Sequence, residues 1–438
     1  MHPNRSIATR RAVLAGLGGF AFAATGVRAQ TVLDAASLGV VGGSPIDQSA
    51  QLQQALNSAA ASGQTLRLPP GSILAADILL PSNLIVEGVP GSTELRSGGT
   101  VVAKAYNARS LVLRDITFSG GPIGQDAPGL LVVEASDLIV LERCTFRDAP
   151  AIALGISDAE VTIRDCVFSE SGDAAIHAVD SRGLLINGNR IDRCGNAAIR
   201  IWRSEPGPDD SIVTANRISD IDWRSGGNGQ NGNGINVFKA DGVIIASNHL
   251  SGCAFSAIRL NTTNNTQVSG NTCLQSGEVA IFSEFAFSGS VISNNIVDGA
   301  ATGISMTNMD SGGQIAVCSG NIVRNITPAS AVNPDTAPIG IAAEADAVIT
   351  SNTIHNVPGL AVLAGYGPYL RNVNISSNTI AECDIGIGVS VVEGAGAVHL
   401  AGNLIAARQH DIVGLAWADI VEPNLLENLD RHPNVSAS

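Results

Sequence analysis

The chain has 438 residues, 45% of them hydrophobic but only 4% aromatic, with 48 Gly and a formal charge of −14. That acidic balance argues against nucleic-acid and anionic-membrane partners. No later stretch approaches the roughly eighteen uninterrupted apolar residues of a membrane span. With so few rings, an interior has to be filled by small and β-branched side chains, which suits thin stacked layers.

Residues 1–29 read as a twin-arginine export signal: Thr9-Arg10-Arg11-Ala12-Val13-Leu14, a mildly apolar stretch to Ala24, and a small-residue cleavage site at Val27-Arg28-Ala29. Removing them takes away four of the 25 basic residues and no acid, leaving 21 against 39 and a charge of −18. The expected location is the periplasm or the medium. Residues 30–100 read as an N-terminal cap and first turns. Asp47 can cap a helix whose apolar side carries Leu52, Ala55, Leu56 and Ala59 and which Gly63 ends. Such a helix would cover the open end of a stack of strands, which otherwise exposes unpaired backbone groups. Short strand patterns follow at Thr65–Leu68 and Leu79–Val86.

Residues 101–415 repeat one phrase, clearest at 184–202: two short alternating apolar runs with an Asn between them, then a third run after a small-residue turn. The Asn recurs at 189, 216, 248, 271, 295, 321, 352, 378 and 403, and earlier copies hold Ile116, Cys144 and Cys166 in its place. Three residues before the slot an apolar column runs from Leu113 to Leu400. The runs alternate with period two and are too short for helices, so each unit is a three-stranded layer. The predicted fold is therefore all-β, a parallel β-helix whose strands pair with their copies about 4.8 Å above. Asn suits the turn because it tolerates left-handed angles and can bond to the Asn stacked above it. Of seven Cys, two occupy the slot and Cys194, Cys253 and Cys383 fall five residues after it, which reads as buried thiols rather than bridges. Residues 416–438 read as a C-terminal cap or tail.

The Leu-Pro-Pro-Gly-Ser of the entry unit, Ser-Asn-Leu-Ile-Val-Glu-Gly and the Ile-x-x-Asn-x-Ile layers resemble right-handed parallel β-helix proteins of the pectate-lyase-like superfamily. With its leader, the whole chain looks like the uncharacterised twin-arginine-translocated repeat proteins. The resemblance implies a ligand lying along the outer face of the first strand. The paired-aspartate and Gly-His-Gly patterns of polygalacturonases and the Asp-Pro-His pattern of alginate epimerases are absent.

That first strand is anchored by Ile152, Ile176, Ile199, Ile235, Ile258, Ile281, Ile304, Ile341, Val362 and Ile387. Residues one and three beyond each anchor face outward. The first outward column runs Ala153, His177, Arg200, Asn236, Arg259, Phe282, and the second Gly155, Val179, Trp202, Phe238, Asn261, Glu284, Thr307, Glu344. Long loops at 204–210 and 222–234 flank the same layers, and 327–338 reads as a rigid wall. Trp202, Phe238 and Trp223 could offer flat faces to sugar rings, with Asn236, Asn261, Lys239 and Glu344 as polar contacts. For a lyase or epimerase acting on uronates, Arg200 or Arg259 would neutralise the carboxylate while His177 or an Arg moved the proton. For a glycosidase, Glu284 and Glu344 would stand roughly 9–10 Å apart, two layers along one column. Asp209, Asp210, Asp220 and Asp222 offer oxygen ligands for Ca²⁺ without an EF-hand loop, so no cofactor is expected. The leading expectation is a polysaccharide or oligosaccharide partner, with a non-catalytic envelope scaffold as the rival class; the sequence does not set the oligomeric state.

Overall fold

The computed structural model describes residues 31–99, 101–121, 128–227, 229–307 and 312–438. The export signal read at 1–29 lies outside them. The chain winds as a parallel β-helix with three strands per turn. The second-strand ladder forms one sheet of sixteen strands, from Val32–Asp34 to Val435–Ala437. The first and third ladders merge into a single sheet. They do so because Thr353–Ala364, Thr379–Ser390 and Leu404–Ala416 run unbroken through the corner, with a register shift inside the pairings they form.

The helix Ser49–Ser62 buries Leu52, Ala55, Leu56 and Ala59, and Gly63 ends it in the left-handed region at φ 67°. Asp47 accepts the Ser49 amide at 3.0 Å, one residue before the cap position, which Gln48 holds. At the other end Asp419–Glu422 turns back antiparallel on Leu404–Ala416, a 3-10 helix Leu425–Arg431 follows, and Val435–Ala437 rejoins the second ladder. The N-terminal helix, and at the other end the antiparallel strand and the 3-10 helix, are thus elements that do not continue the stack.

Inside, the apolar column of the second strand is buried throughout, from Leu113 through Ile245 to Leu400. One feature is not visible in the composition. Phe118, Phe146 and Phe168 stack face to face at 4.9 and 4.7 Å, and the register then continues the column as Ile191, Ile218 and Leu250. All seven cysteines are free and buried, and burial pushes the Cys194 and Cys253 thiols up to about 12.

The Asn column is a continuous hydrogen-bonded ladder. Each side chain from Asn189 to Asn378 donates Nδ2 to the Oδ1 of the next Asn, and its backbone amide donates to the same oxygen. Nδ2 also reaches a second-strand carbonyl of the preceding turn, as from Asn271 to Ile245 at 3.0 Å. The left-handed backbone belongs to the residue before the slot, not to the Asn: Gly188, Ala215, Ser247, Gly270 and Asn294 have φ between 56° and 67°. That frees the Asn to hold an extended backbone and aim its amide along the axis.

One anchor differs from the sequence reading. The residue paired with Ile176 is Leu154, not Ile152, so Gly155 and Ser157, rather than Ala153 and Gly155, continue the outward columns. The signal is in the spacing: Leu154 stands ten residues after Cys144, as Ile176 does after Cys166 and Ile199 after Asn189. Ile152 belongs to the corner after Pro150.

Asn271→Ala removes the acceptor of two buried donors, Asn248 N and Nδ2, and takes one donor from the Ile245 carbonyl. It should destabilise the chain by about 3 kcal/mol. Asn403→Ala, at the end of the ladder and only half-buried, should cost about 1 kcal/mol. Urea unfolding of the two variants checks the ordering.

Candidate functional site

From Ile176 onward the register places the outward residues side by side. His177 pairs with Arg200, Arg200 with Asn236, Asn236 with Arg259, and Arg259 with Phe282; Trp202, Phe238, Asn261 and Glu284 follow in the neighbouring column. Although these side chains leave the core, the loops bury several of them again. Arg200, Asn236, Arg259 and Glu284 are each less than a tenth exposed.

Arg200 is held in a bidentate pair by Asp173, with both oxygens at 2.9 Å, and Nη2 also donates to Asn231 Oδ1 at 2.9 Å. Burial alone would raise the Asp173 carboxyl, but the hydrogen bond and charge of Arg200 outweigh it and hold the group below its ordinary value. Arg259 donates from Nε and Nη2 to Glu284, at 2.7 and 2.8 Å, and from Nη1 to Glu278 at 3.1 Å. Its guanidinium lies 5.0 Å from the Phe282 ring. The arginines expected to stand ready for a uronate carboxylate are therefore already closed by carboxylates of the protein.

The loop 222–234 completes the arrangement. Asn196 fastens it at both faces of its amide, through Ser225 Oγ and the Ser225 amide at 2.8 Å. Gly229, at φ 144°, passes directly against Arg259: a Cβ there would collide with the guanidinium carbon. Trp223 does not line a ligand face. It tilts on Phe255 with centroids 5.0 Å apart and donates Nε1 to the Gly227 carbonyl at 3.1 Å, clasping the loop base. The wall 327–338 reaches back across two turns, with Ser330 Oγ donating to the Gly277 carbonyl at 2.6 Å and Asn333 Nδ2 to Glu278 at 2.8 Å.

Between loop and ladder lies a pocket of about 460 Å³ lined by Trp202, Gly229, Gln230, Asn236, Phe238, Arg259, Asn261, Glu284 and Phe285. A second, more polar cavity of about 750 Å³ opens on the other side of Trp202, over Asp173, Asn196, Arg200 and Asn231. Trp202 donates Nε1 to Asn236 Oδ1 at 3.2 Å and meets His177 and Phe238 edge-on at 5.1 and 6.3 Å. Phe285 is half exposed at φ 58°, in the corner position that Lys239 and Thr262 occupy on earlier turns with the same left-handed backbone. A ring there serves no core, since the corner asks only for a positive φ.

Other expected residues are placed elsewhere. Lys239 donates to the Ser204 carbonyl at 2.9 Å, outside the pocket lining. Glu344 is buried two turns beyond Glu284. The Glu284 carboxylate turns the opposite way, toward Arg259 and Asn261 on the preceding turn, so the two carboxyls do not form the facing pair a glycosidase would use. Asp209 Oδ1 accepts the Ser211 amide, and Asp222 takes Trp223 N and Arg224 Nε. Among the described residues no three His, Cys, Asp or Glu gather as a metal site, and no helix is long and apolar enough to cross a membrane.

Asp173 and Glu278 were not singled out from sequence, yet they share a position three residues before the anchors Ile176 and Ile281. A third column read at that offset would have found both. Asn231 and Gln230 come from the inserted loop, where the repeat gives no register.

Fold and groove define a parallel β-helix with a built cleft on its first ladder. The chain belongs to the right handed beta helix region family, whose model matches residues 101–228 and 157–325. No curated protein matches it in sequence. Among solved structures, a PL6 alginate lyase in complex with a trisaccharide is similar with a TM-score of 0.57, at 12% identity over 93% of each chain. The catalytic unit of a thermostable GH87 alpha-1,3-glucanase from Streptomyces thermodiastaticus strain HF3-3 gives 0.55, at 13% identity over 90% of this chain and 70% of that one. A mannuronic acid specific polysaccharide family 6 lyase from human gut microbiota gives 0.50, at 14% identity over 92% and 94%. At these identities the likeness shows the fold.

Burial, and then the Arg200 charge, push the His177 imidazole down to about 4 from 6.5, with Asp173 opposing. Its folded value lies below its unfolded one, so between pH 6.5 and 4 the unfolded chain binds the extra proton and stability falls as pH falls. The full effect is up to about 3 kcal/mol. His177→Gln should lose markedly less stability over that interval in urea titrations at stepped pH; parallel curves for the two proteins would contradict the assignment.

Proposed function

We propose that this chain binds a polysaccharide or oligosaccharide on the outer face of its first ladder, in the cleft centred on Trp202. One observation carries the reading: the rings of Trp202, Phe238 and Phe285 surround a floor of Asn236, Asn261 and Glu284. Pyranose rings present apolar C–H faces that stack on aromatic side chains, while their hydroxyls need donors and acceptors at the rim. Among the described residues Glu284 Oε2 accepts one bond, from Arg259, which leaves acceptor capacity for a ligand hydroxyl. The solved relatives that act on alginate or α-1,3-glucan support a carbohydrate reading of this kind of scaffold.

Binding is the activity these residues support. Turnover as a lyase, epimerase or hydrolase needs a group free to move a proton at the ligand, and Arg200, Arg259 and Glu284 are each held by partners. Titration of oligosaccharide panels, followed by tryptophan fluorescence and calorimetry, tests the proposal. Trp202→Ala should weaken binding at least tenfold, about 1.4 kcal/mol, with an unchanged far-ultraviolet circular dichroism spectrum. A panel without any binder, or wild-type affinity in Trp202→Ala, overturns it.

Export of the folded chain through the twin-arginine route is part of the same proposal, resting on Arg10 and Arg11. Changing both to Lys should leave the full-length protein unprocessed in the cytoplasm, as read by fractionation and immunoblot.

A further inference from the structure

Resting on the saccharide reading above, we infer that the sugar seated between Trp202 and Phe285 carries no carboxylate, and that an amino sugar bearing an ammonium is preferred to a neutral hexose. Charge at the pocket floor sets this preference. The floor and the residues directly beneath it hold one guanidinium, Arg259, and two carboxylates, Glu284 and Glu278. All three side chains are less than a tenth exposed, so water does not screen the surplus negative charge as it would at a surface.

Arg259 is not available to a ligand anion. Its Nε–Nη2 edge is taken by both oxygens of Glu284, its Nη1 by Glu278, and one face by Phe282, while the Gly229 backbone presses on it from the loop. Glu278 is itself held by Asn333 of the wall 327–338, whose Nδ2 donates to its other oxygen at 2.8 Å. Of the other cations nearby, Arg200 is neutralised by Asp173 on the far side of Trp202. Lys239 lies 5.2 Å from the Phe238 ring, with its ammonium bonded to the Ser204 carbonyl outside the pocket.

A uronate in this pocket would bring a third carboxylate against Glu284, and among the described residues lining the pocket the cation, Arg259, is already paired, so the like-charge contact costs binding. An ammonium in the same place would balance the surplus charge, donate to Glu284 and lie among ring faces that attract cations. The aromatic walls and the cavity define the site, and the Arg259–Glu284–Glu278 group selects what enters it.

The test uses three oligomers of one length and one linkage: β-1,4 hexamers of glucosamine, N-acetylglucosamine and mannuronate, titrated at a mildly acidic pH where the free amines are charged. The expected order is glucosamine tightest, then N-acetylglucosamine, with mannuronate at least about tenfold weaker than the neutral hexamer. Glu284→Gln should bring the two amino-sugar hexamers within about threefold of each other and tighten mannuronate. Glu278→Gln, which removes one charge without lining the pocket, should shift the ranking in the same direction. Mannuronate binding as tightly as the neutral hexamer, or an unchanged ranking in both variants, overturns the inference and leaves the saccharide reading standing. Failure of all three hexamers to bind likewise overturns the inference, whereas the saccharide reading falls only with the wider panel.

Discussion

Every outward side chain in this molecule is placed by the register between turns, and the register is held by groups that never reach the surface. Parallel pairing alone would tolerate a slip, because backbone bonds repeat at every second residue and a shifted strand could still be paired. The Asn ladder removes that freedom. Each amide has one neighbour in reach above it and one carbonyl below, so a slipped turn would leave buried donors without acceptors. In the earliest turns the Cys144 and Cys166 thiols take the Asn positions with weaker bonds, and the Phe118–Phe146–Phe168 stack runs beside them two residues further along the chain. The alignment of Arg200 over His177, or of Glu284 over Asn261, is a consequence of this buried column.

Upon that frame the site is made by two departures from regularity. The insertion at 222–234 bends over the ladder and the one at 327–338 reaches back beneath it, and each is tied by side chains of the regular turns: Asn196 to Ser225, Glu278 to Asn333. Burial of Arg200 and Arg259 follows, and with it the need for Asp173, Glu278 and Glu284 as partners, since an unpaired buried cation would be strongly destabilising. Ion pairs elsewhere on the surface, such as Arg371–Asp346 and Arg324–Asp298, remain half exposed and contribute little by comparison. The difference between the two sets is whether a loop covers them.

How far the sequence could be read divides along the same line. Layers, Asn slot, cap helix and outward columns from Ile176 onward follow from a repeat in which each residue's orientation depends only on its place in the phrase. Ile152 was misplaced because an Ile two residues too early satisfied the local pattern while breaking the ten-residue spacing from the slot. Which residues an arginine meets is another matter. Arg200 takes its carboxylate from the turn below it and Arg259 both of its own from the turn above, and no local pattern distinguishes the two directions. Trp223 leaves the ligand face expected of it, and Phe285, for which the repeat gives no role, lines the pocket instead: one sits in an insertion with no register, the other in a corner where only the backbone angle is prescribed.

The Asn ladder also has a direction. In every rung the donor lies on the earlier turn and the acceptor on the later one, so the amides are aligned head to tail from Asn189 to Asn403. Aligned dipoles polarise one another, which strengthens the interior rungs at the expense of the ends. The ends are not equivalent: Cys166 donates its amide into the first Asn, whereas Asn403 only receives and sends its own Nδ2 back to Ile375. The solenoid therefore carries a built-in polarity along its axis, the ladder opening on a backbone donor at Cys166 and closing on a half-buried amide acceptor at Asn403.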